Sequence, residues 1–558
     1  MYTVNFLNVK NMKVLLVKNQ GYKWFSAKDE IFFKGYFFDE QGELYRDYAA
    51  IEKLLHDIMD VDSLVCFLKK IDGIFSFIVK HDGYYYCAVD KARSLPLFFS
   101  EQGGDAIISD SAEVIRKELD ISPENVDKYC YLSFYAKGYL DRNYTVYSQI
   151  KQLDCGEALC LAADIKARII RYYNHINNVS DKPYEELKDL FDKTAISAFE
   201  RIKRVIAGRP VAISLSGGYD SRAVACMLKR VGVEDVSCYT YGKKGSFEVE
   251  QSRKNAEALG YRWIYVEYSD ERVNCVLDDE GKKYLDYYET HDCLPYIQNY
   301  PAVRELVEKG WFKEGTVFLT GLCGDMPSGY YIPVKEEVNY DNKYAAEWLY
   351  SEIYARQFPD EQFHDRCVSE IIEDMENNHV IVHDYQTFAS AIDFVYTRTC
   401  HAHAFLNMNR SHDYYGYEWL IPMWDASLLD RWYSIPAEYR FKQKFYEDWL
   451  LNDVCSSYGI GTKKKTVGYS IKPLKRKLTY MAGSIIAYVS FHLGIPFKRK
   501  YDFNNWAPLE LNLYRHLKSK KTVVWHKAAL YSLVIQYTLQ NRYGVKNMLE
   551  AKKRIVKS

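Results

Sequence analysis

The sequence predicts a mixed α/β protein in which a doubly wound parallel sheet follows an α+β sandwich and precedes a helical extension. Residues 1–175 read as strands and turns, residues 181–340 alternate apolar strands with amphipathic helices, and the chain after residue 340 has mostly helical patterns. Alternating strands and helices are typical of a parallel sheet covered on both faces. With 558 residues the chain is too long for one core. We therefore predict domains at 1–180, 181–470 and 471–558.

The N-terminal strands are indicated by a hairpin pattern. The apolar runs Ile74–Val79 and Tyr84–Val89 flank the turn His81-Asp82-Gly83. In the central region, Leu187, Phe191 and further apolar residues at helical spacing predict a helix over 184–205. The elements predicted after it are strand 211–215, helix 221–231, strand 236–241, a helix near 249–259, strand 263–267 and strand 316–320.

Composition excludes several classes of protein. The 74 Lys and Arg residues balance 75 Asp and Glu residues, which gives no support for a nucleic-acid partner. The 13 cysteines are scattered without a CxxC pair, so reduced thiols and a cytoplasmic location are expected. The first residues show no secretory leader pattern. The apolar stretch 480–497 is predicted to be a buried helix pair, with a membrane-surface segment as the alternative.

The segment Ser216-Gly217-Gly218-Tyr219-Asp220-Ser221-Arg222 carries the chemistry. Its glycines let the chain turn between a buried strand and a helix, and the helix N-terminus favours an anion. The hydroxyls of Ser216 and Ser221 add donors, and Asp220 suits a Mg²⁺ ion that bridges to phosphate. The patterns GxxxxGK[ST] and GxGxxG are absent. The segment resembles the pyrophosphate loop of the N-type ATP pyrophosphatases; a chance glycine turn is the alternative.

A second motif narrows the resemblance. Gly321-Leu322-Cys323-Gly324-Asp325, followed by Ser328-Gly329-Tyr330, is similar to the second signature of the asparagine synthetase family, in which an acidic residue binds Mg²⁺. Asp325 matches that ligand. Since Asp220 and Asp325 follow two strands of one predicted sheet, both are expected at the edge where ligands bind.

Two further stretches resemble the same family. Arg410 and the run Tyr417–Asp425 look like its Arg…Glu-x-Arg-x-Pro-Phe-Leu-Asp region, although position 420 is Leu. The run Gly461–Tyr469 contains three lysines, among which Lys464 and Lys465 are the candidates to neutralise the leaving pyrophosphate. A solvated loop is the alternative reading of that run.

The N-terminal part resembles the family's glutaminase domain, through Asp72–Phe77, Asp90–Phe99 and Asp110–Glu113. The family's nucleophilic N-terminal cysteine is missing from Met1-Tyr2-Thr3, so we expect a scaffold without glutaminase activity. Leu322 replaces the acidic residue of asparagine synthetases. The segments 239–242 and 246–250 look most like members associated with bacterial surface-polysaccharide genes.

The resemblance implies an ATP-dependent ligase that activates a carboxylate as its adenylate and then forms an amide with ammonia or an amine. Mg²⁺ would be held by Asp220 and Asp325. The pyrophosphate would be held by Ser216, Gly217, Gly218 and Ser221, and adenosine by main-chain groups near Leu215, Tyr241 and Gly321. The alternatives are an amidotransferase fed by a separate glutaminase, plain asparagine synthesis, and a non-catalytic nucleotide-binding scaffold. The sequence also leaves a homodimer open.

Overall fold

The computed structural model describes residues 11–102, 105–162, 165–354, 361–461, 483, 485–499, 502–523 and 530–557. The N-terminal part is a sandwich of two sheets, with strand orders β1-β8-β7-β9 and β11-β10-β6-β5-β3-β2, in which β4 also pairs with β3. The bounds of these strands are β1 Asn11–Leu15, β2 Trp24–Ala27, β3 Ile31–Phe38, β4 Leu44–Arg46, β5 Asp72–His81, β6 Tyr84–Val89, β7 Phe98–Gln102, β8 Asp105–Ser109, β9 Lys151–Gln152, β10 Glu157–Ala162 and β11 Ile165–Arg171.

The sandwich has an apolar interior between its sheets. Ile78 and Leu159 of the larger sheet and Phe99 and Ile108 of the smaller sheet belong to one buried cluster. Helices α1 Asp47–Asp57 and α2 Val61–Lys70 pack on the larger sheet, and α3 Ala112–Glu118 packs on the smaller one. Helix α4 Lys128–Lys137 packs on the C-terminal helix Leu530–Tyr543. The predicted hairpin is confirmed, since β5 and β6 pair antiparallel across the turn at Gly83, which has φ +81°.

The central sheet is parallel and has the order β14-β13-β12-β15-β16. Its strands are β12 Val211–Ser214, β13 Val236–Gly242, β14 Arg262–Glu267, β15 Val317–Leu319 and β16 Trp419–Leu420. The four predicted strands are confirmed with ends shifted by one residue. The two-residue strand β16 was not predicted. Interspersed helices are α5 Tyr184–Ile206, α6 Tyr219–Arg230, α7 Phe247–Leu259, α8 Asp270–Asn274, α9 Asp279–Tyr287 and α10 Tyr300–Glu308.

The chain after residue 340 is mainly helical, as predicted. Its α-helices are α11 Asn342–Ile353, α12 Glu361–Asn377, α13 Tyr385–Tyr396, α14 Arg410–Tyr414, α15 Ala426–Tyr433, α16 Ala437–Arg440, α17 Lys444–Asp448, α18 Ala507–Ser519, α19 Leu530–Tyr543 and α20 Val545–Lys557. Two π-helices, Thr397–Phe405 and Trp449–Cys455, interrupt this series. Short 3₁₀ turns lie at Cys275–Leu277, Leu406–Asn409, Pro422–Trp424, Phe441–Gln443 and Ser456–Tyr458.

Buried charges join the N-terminal sandwich to the central region and to the helical region after residue 340. Arg93 donates to Asp292 at 2.8 Å, and Arg398 donates to Asp154 at 3.0 Å, with all four side chains buried. Burial alone would raise the pKa of Asp154, but Arg171, His403 and Arg398 outweigh it and hold the pKa well below its usual range. These parts of the chain therefore share a polar core.

The apolar stretch 480–497 corrects a prediction. Residues 485–492 are helical, but Ile485, Ile486 and Val489 are exposed, and only Ala487 and Phe491 turn inward. The prediction of a buried helix pair is wrong for the described residues, because one face of this helix finds no covering element there. Residues 480–482 and 484 lie outside the described part. Among the helices that the structure describes, none is long and apolar enough to cross a membrane.

The proposed domain limits stay predictions. The first limit, near residue 180, falls just before α5. The second, at residue 470, lies outside the described residues.

Candidate nucleotide-binding site

The candidate site lies where β12 and β15 end, at the carboxyl edge of the central sheet. Strand β12 has β13 on one side and β15 on the other, so it is the middle strand. The chain leaves it through Leu215, Ser216, Gly217 and Gly218 and enters α6 at Tyr219. Leu215 is buried and donates its N–H to the Tyr239 carbonyl at 2.9 Å. The first predicted motif thus starts at the ligand-binding edge of the sheet.

Hydroxyl groups hold the loop in shape. The Ser216 N–H donates to Ser221 Oγ at 3.0 Å, and the two serine hydroxyls lie 3.1 Å apart. The Gly218 N–H donates to Ser216 Oγ at 3.1 Å. The Arg222 guanidinium donates to the Gly217 carbonyl at 3.1 Å. These bonds hold the predicted pyrophosphate loop in shape at the start of α6, where the helix dipole favours an anion.

The two loop glycines lie close to neighbouring atoms and do not have a left-handed backbone. Gly218 has φ −77°, which any residue adopts, and Gly217 is not among the residues with positive φ. A Cβ on Gly217 would lie 3.3 Å from Cα of Glu248, the second residue of α7. A Cβ on Gly218 would lie 3.1 Å from Ser216 Oγ. Helix α7 thus packs closely on the loop at the first glycine.

The second motif lies directly against the first. A Cβ on Gly321 would lie 2.5 Å from the carbonyl carbon of Asp220 and 2.5 Å from the Ser221 nitrogen. A Cβ on Gly324 would lie 2.6 Å from Asp220 Oδ1. Between these glycines Cys323 has φ +68°, a conformation that is strained for a residue with a side chain. The turn after β15 is therefore shaped to seat the Asp220 carboxylate.

The turn also carries the second predicted metal ligand. Asp220 and Asp325 are both half-buried. Burial raises the pKa of Tyr446 well above its usual value, and the charges of Asp220 and then Asp325 raise it further, so this phenol lies near both carboxylates. Burial raises the pKa of Cys323 in the same way, with Asp325 and Asp220 among the contributing charges.

This donor set fits Mg²⁺ held jointly with phosphate. Within the described ranges, no group of three or more His, Cys, Asp or Glu side chains gathers to hold a metal ion. Two carboxylates at one sheet edge match the usual pattern for Mg²⁺, which takes one or two protein carboxylates and fills its other positions with phosphate and water. The glycine contacts at Asp220 leave its carboxylate fixed beside the turn that carries Asp325.

The predicted adenosine side contains a contact that sequence reasoning missed. Tyr241 stacks on Tyr268 with ring centroids 5.0 Å apart, and burial raises the pKa of Tyr241 to about 12. The Phe503 carbonyl accepts the Lys243 N–H at 2.6 Å, and a Cβ on Gly242 would lie 2.8 Å from that oxygen. The C-terminal extension thus packs against the end of β13, and no motif in the sequence signals this contact.

Arg410 and the run Tyr417–Asp425, which resemble a third family region, make mainly structural contacts. Arg410 donates to Asp413 at 3.1 Å, and both side chains are buried. Glu418 accepts from Arg46 of the N-terminal sandwich at 3.0 Å and from Arg209 at 2.7 Å. Leu420 is fully buried in β16, where it pairs with Leu319.

Three further residues from the sequence analysis are Leu322, Lys464 and Lys465. Leu322 is partly buried and packs on the main apolar core. Lys464 and Lys465 lie outside the described residues, so their role stays a prediction.

A buried histidine near the second motif was also missed. His401 lies in the π-helix Thr397–Phe405 and is 1% exposed. The ring of His401 lies 5.7 Å from the ring of Tyr331. Burial raises the pKa of Tyr331, and the charge of Asp325 raises it further, so Tyr331 lies near both His401 and the second motif. Neither ring nitrogen of His401 has a hydrogen-bond partner in the described part of the protein. Burial lowers the pKa of His401 to about 3, which keeps the imidazole neutral at neutral pH.

Two solved structures are distantly similar to this chain. An NH3-dependent NAD synthetase from Campylobacter jejuni subsp. jejuni NCTC 11168, in complex with nitrate, is 16% identical, with a TM-score of 0.20; the match covers 36% of this chain and 85% of that one. A glutamine phosphoribosylpyrophosphate amidotransferase from B. subtilis, complexed with ADP and GMP, is 9% identical, with a TM-score of 0.18; the match covers 53% of this chain and 63% of that one.

The comparison with protein families is more specific. None of the curated proteins matches this chain. Residues 201–458 match the family model described as asparagine synthase. This range begins in α5 and contains the whole central sheet with both glycine motifs. Residues 201–458, somewhat under half of the chain, therefore form a domain that matches the asparagine synthase family.

Proposed function

We propose that this protein activates a carboxylate with ATP as an acyl-adenylate and transfers the acyl group to ammonia or an amine. The observation that carries the proposal is the contact between the two motifs, in which Gly321 and Gly324 lie against the backbone and carboxylate of Asp220. A chance glycine turn would not require a second glycine turn, from a neighbouring strand, to fit against it.

The reaction has two bond-exchange steps. A carboxylate oxygen of the substrate attacks the α-phosphorus of ATP, and the bond to the bridging oxygen breaks with its electron pair leaving on pyrophosphate. The nitrogen nucleophile then attacks the acyl carbon, the bond to the AMP oxygen breaks, and the nitrogen loses a proton. An amide, AMP and pyrophosphate are formed.

Each residue of the site has a proposed role. Ser216, Gly217, Gly218 and Ser221 donate hydrogen bonds to the departing pyrophosphate, whose charge also faces the N-terminus of α6. Asp220 and Asp325 would hold Mg²⁺, which supplies charge neutralisation on the phosphate oxygens when it is bound.

The adenosine contacts and two further pyrophosphate contacts are also part of the proposal. Main-chain groups near Leu215, Tyr241 and Gly321 contact adenosine. Lys464 and Lys465 are the proposed partners of the pyrophosphate as negative charge grows on it.

His401 is proposed to contact the substrate. A buried polar group without a partner is unfavourable by roughly 1–3 kcal/mol, so such groups in folded proteins call for an explanation. A substrate group that hydrogen-bonds to the imidazole would supply the missing partner, on the side of the site marked by Tyr331 and Asp325. The Leu322 side chain has no carboxyl group that could orient the acceptor. A neutral hydrogen-bonding group such as His401 would orient the acceptor instead.

The proposal is tested by ATP–pyrophosphate exchange with a panel of carboxylic acids that includes uronic acids and aspartate. We expect exchange that depends on one class of acid and on Mg²⁺. The uronic acids follow from the resemblance to family members associated with surface polysaccharides. Binding of ATP without acid-dependent exchange, across the panel and with an amine present, would favour the non-catalytic alternative and overturn the proposal.

A further inference from the structure

A contiguous set of large apolar side chains is exposed in the C-terminal extension. Six residues, which we call the apolar patch, are between 40% and 69% exposed: Ile485, Ile486, Tyr488, Val489, Leu493 and Ile495. They fall within eleven consecutive positions. Scattered single apolar residues on a surface need no explanation, but a contiguous group of this kind marks an interaction site.

The patch is held by specific contacts rather than by a loose end of the chain. Ile485, Val489 and Leu493 share the outward side at spacings of four, whereas Ala487 and Phe491 share the buried side. Phe491 packs on Tyr514 with ring centroids 5.5 Å apart. The Tyr514 hydroxyl lies 2.7 Å from His492 Nδ1. The outward apolar side is therefore presented from a fixed base.

The surroundings of the patch are basic. Arg515 is exposed and donates to the Gly494 carbonyl at 3.1 Å, and Lys498 is exposed three residues after Ile495. Lys518 lies over the Tyr514 ring, 6.0 Å from its centroid. From residue 498 to 521 the sequence has seven Lys and Arg residues and two acidic residues.

The two acidic residues offset only part of this charge. Glu510 is buried and accepts from Arg499 at 2.5 Å. Asp502 accepts the N–H groups of Trp506 and Ala507 at the start of α18. The cations beside the patch are thus available to an external anion.

From this combination we propose that the apolar patch docks on an anionic phospholipid surface, with Lys498, Arg515 and Lys518 facing the headgroups. Apolar side chains that enter the acyl boundary, beside lysine and arginine that meet anionic headgroups, are the two features of interfacial membrane binding. The described helical segment 485–492 is too short to span a bilayer, and the proposed docking is therefore to the membrane surface. Charge complementarity favours this occupant over a neutral protein groove. Docking is independent of the proposed ligase activity.

The test uses the full-length protein and vesicle co-sedimentation. Vesicles of phosphatidylcholine alone are compared with vesicles of equal parts phosphatidylcholine and phosphatidylglycerol, at low and high salt. We expect at least ~10-fold tighter binding to the anionic vesicles, weakened by salt. A triple variant, Ile486→Ser, Leu493→Ser and Ile495→Ser, is expected to lose at least ~10-fold in binding. Lys498→Glu should reduce only the anionic component.

A matched control separates the patch from general surface hydrophobicity. Val334 and Ile381 are 64% and 66% exposed and lie elsewhere on the protein, so Val334→Ser with Ile381→Ser should bind vesicles like the wild type. All the substituted side chains are exposed, so unfolding temperatures should remain unchanged. Equal binding to both vesicle types, or equal loss in patch and control variants, overturns the proposal. A dimer that the triple variant converts to monomer, without vesicle binding, assigns the patch to a second copy instead.

Discussion

The substitution Gly324→Ala tests the contact that carries the proposed function. A Cβ at this position would lie 2.6 Å from Asp220 Oδ1 and 2.8 Å from its Cγ, whereas ordinary contacts are 3.4–4 Å. The carboxylate must therefore move by about 0.8 Å, and misplacement of a reacting or ligating group by about 1 Å can reduce a rate by roughly 10²-fold. The clash involves a half-buried side chain that can rotate, so the fold should persist.

The first assay is ATP–pyrophosphate exchange with the carboxylic acid that gives the fastest exchange. The second assay is titration calorimetry, which measures the affinity for ATP·Mg²⁺ without any carboxylic acid. We expect roughly 10²-fold slower exchange and weaker Mg²⁺-dependent ATP binding. Gly321→Ala makes a useful comparison, because its Cβ would meet backbone atoms at 2.5 Å and should destabilise the fold by about 1–3 kcal/mol. Gly483→Ala is the control, since no atom of the described residues lies within 4 Å of the Cβ that it would add. Wild-type exchange and ATP affinity in folded Gly324→Ala would refute the reasoning.

Three further outcomes are expected. Asp220→Asn and Asp325→Asn should each abolish AMP and pyrophosphate release without unfolding the protein, because each removes an anionic Mg²⁺ ligand; near-wild-type release would contradict the metal assignment. His401→Leu should keep or raise the unfolding temperature, because it removes a buried group without a described partner, while kcat/KM falls roughly 10-fold or more; an unchanged kcat/KM would exclude substrate contact. Aspartate with ammonia should be a poor substrate pair, since Leu322 offers no acid; asparagine formation with kcat near ~1–10 s⁻¹ would restore plain asparagine synthesis.

Much of the sheet could be predicted because its strands are apolar runs bounded by turn residues. The rule that ligands bind at the carboxyl ends of parallel strands also predicts Asp220 and Asp325 at one edge of the sheet. Strand β16 was not predicted because two residues are too few to show an alternating apolar pattern. Its place beside β15 depends on pairing between residues far apart in the sequence. The contact of Gly324 with Asp220 joins positions about a hundred residues apart, which local patterns do not encode.

The stretch 480–497 shows a different limit of pattern reasoning. Its apolar composition was correctly recognised, but composition gives the tendency of a side chain to leave water and not the identity of its partner. Ala487 and Phe491 find partners within the described chain, whereas Ile485 and Leu493 do not. Burial was predicted from the same apolar residues that now define an exposed patch, so the missing information was the arrangement of neighbouring elements.

The buried charges between the N-terminal sandwich and the rest of the chain give that sandwich a physical role that needs no catalysis. Arg93 meets Asp292 across 199 positions of sequence, and both side chains are almost fully buried. Asp154 meets Arg398, which in turn donates to Asp374 at 2.9 Å. Breaking a buried pair by removing one partner typically destabilises a protein by about 3–5 kcal/mol, because the remaining charge stays desolvated. Removing the sandwich would leave Asp292 and Arg398 without these partners at once, and Arg398 belongs to the same helical series as His401. The sandwich therefore stabilises the region that the proposed substrate would contact.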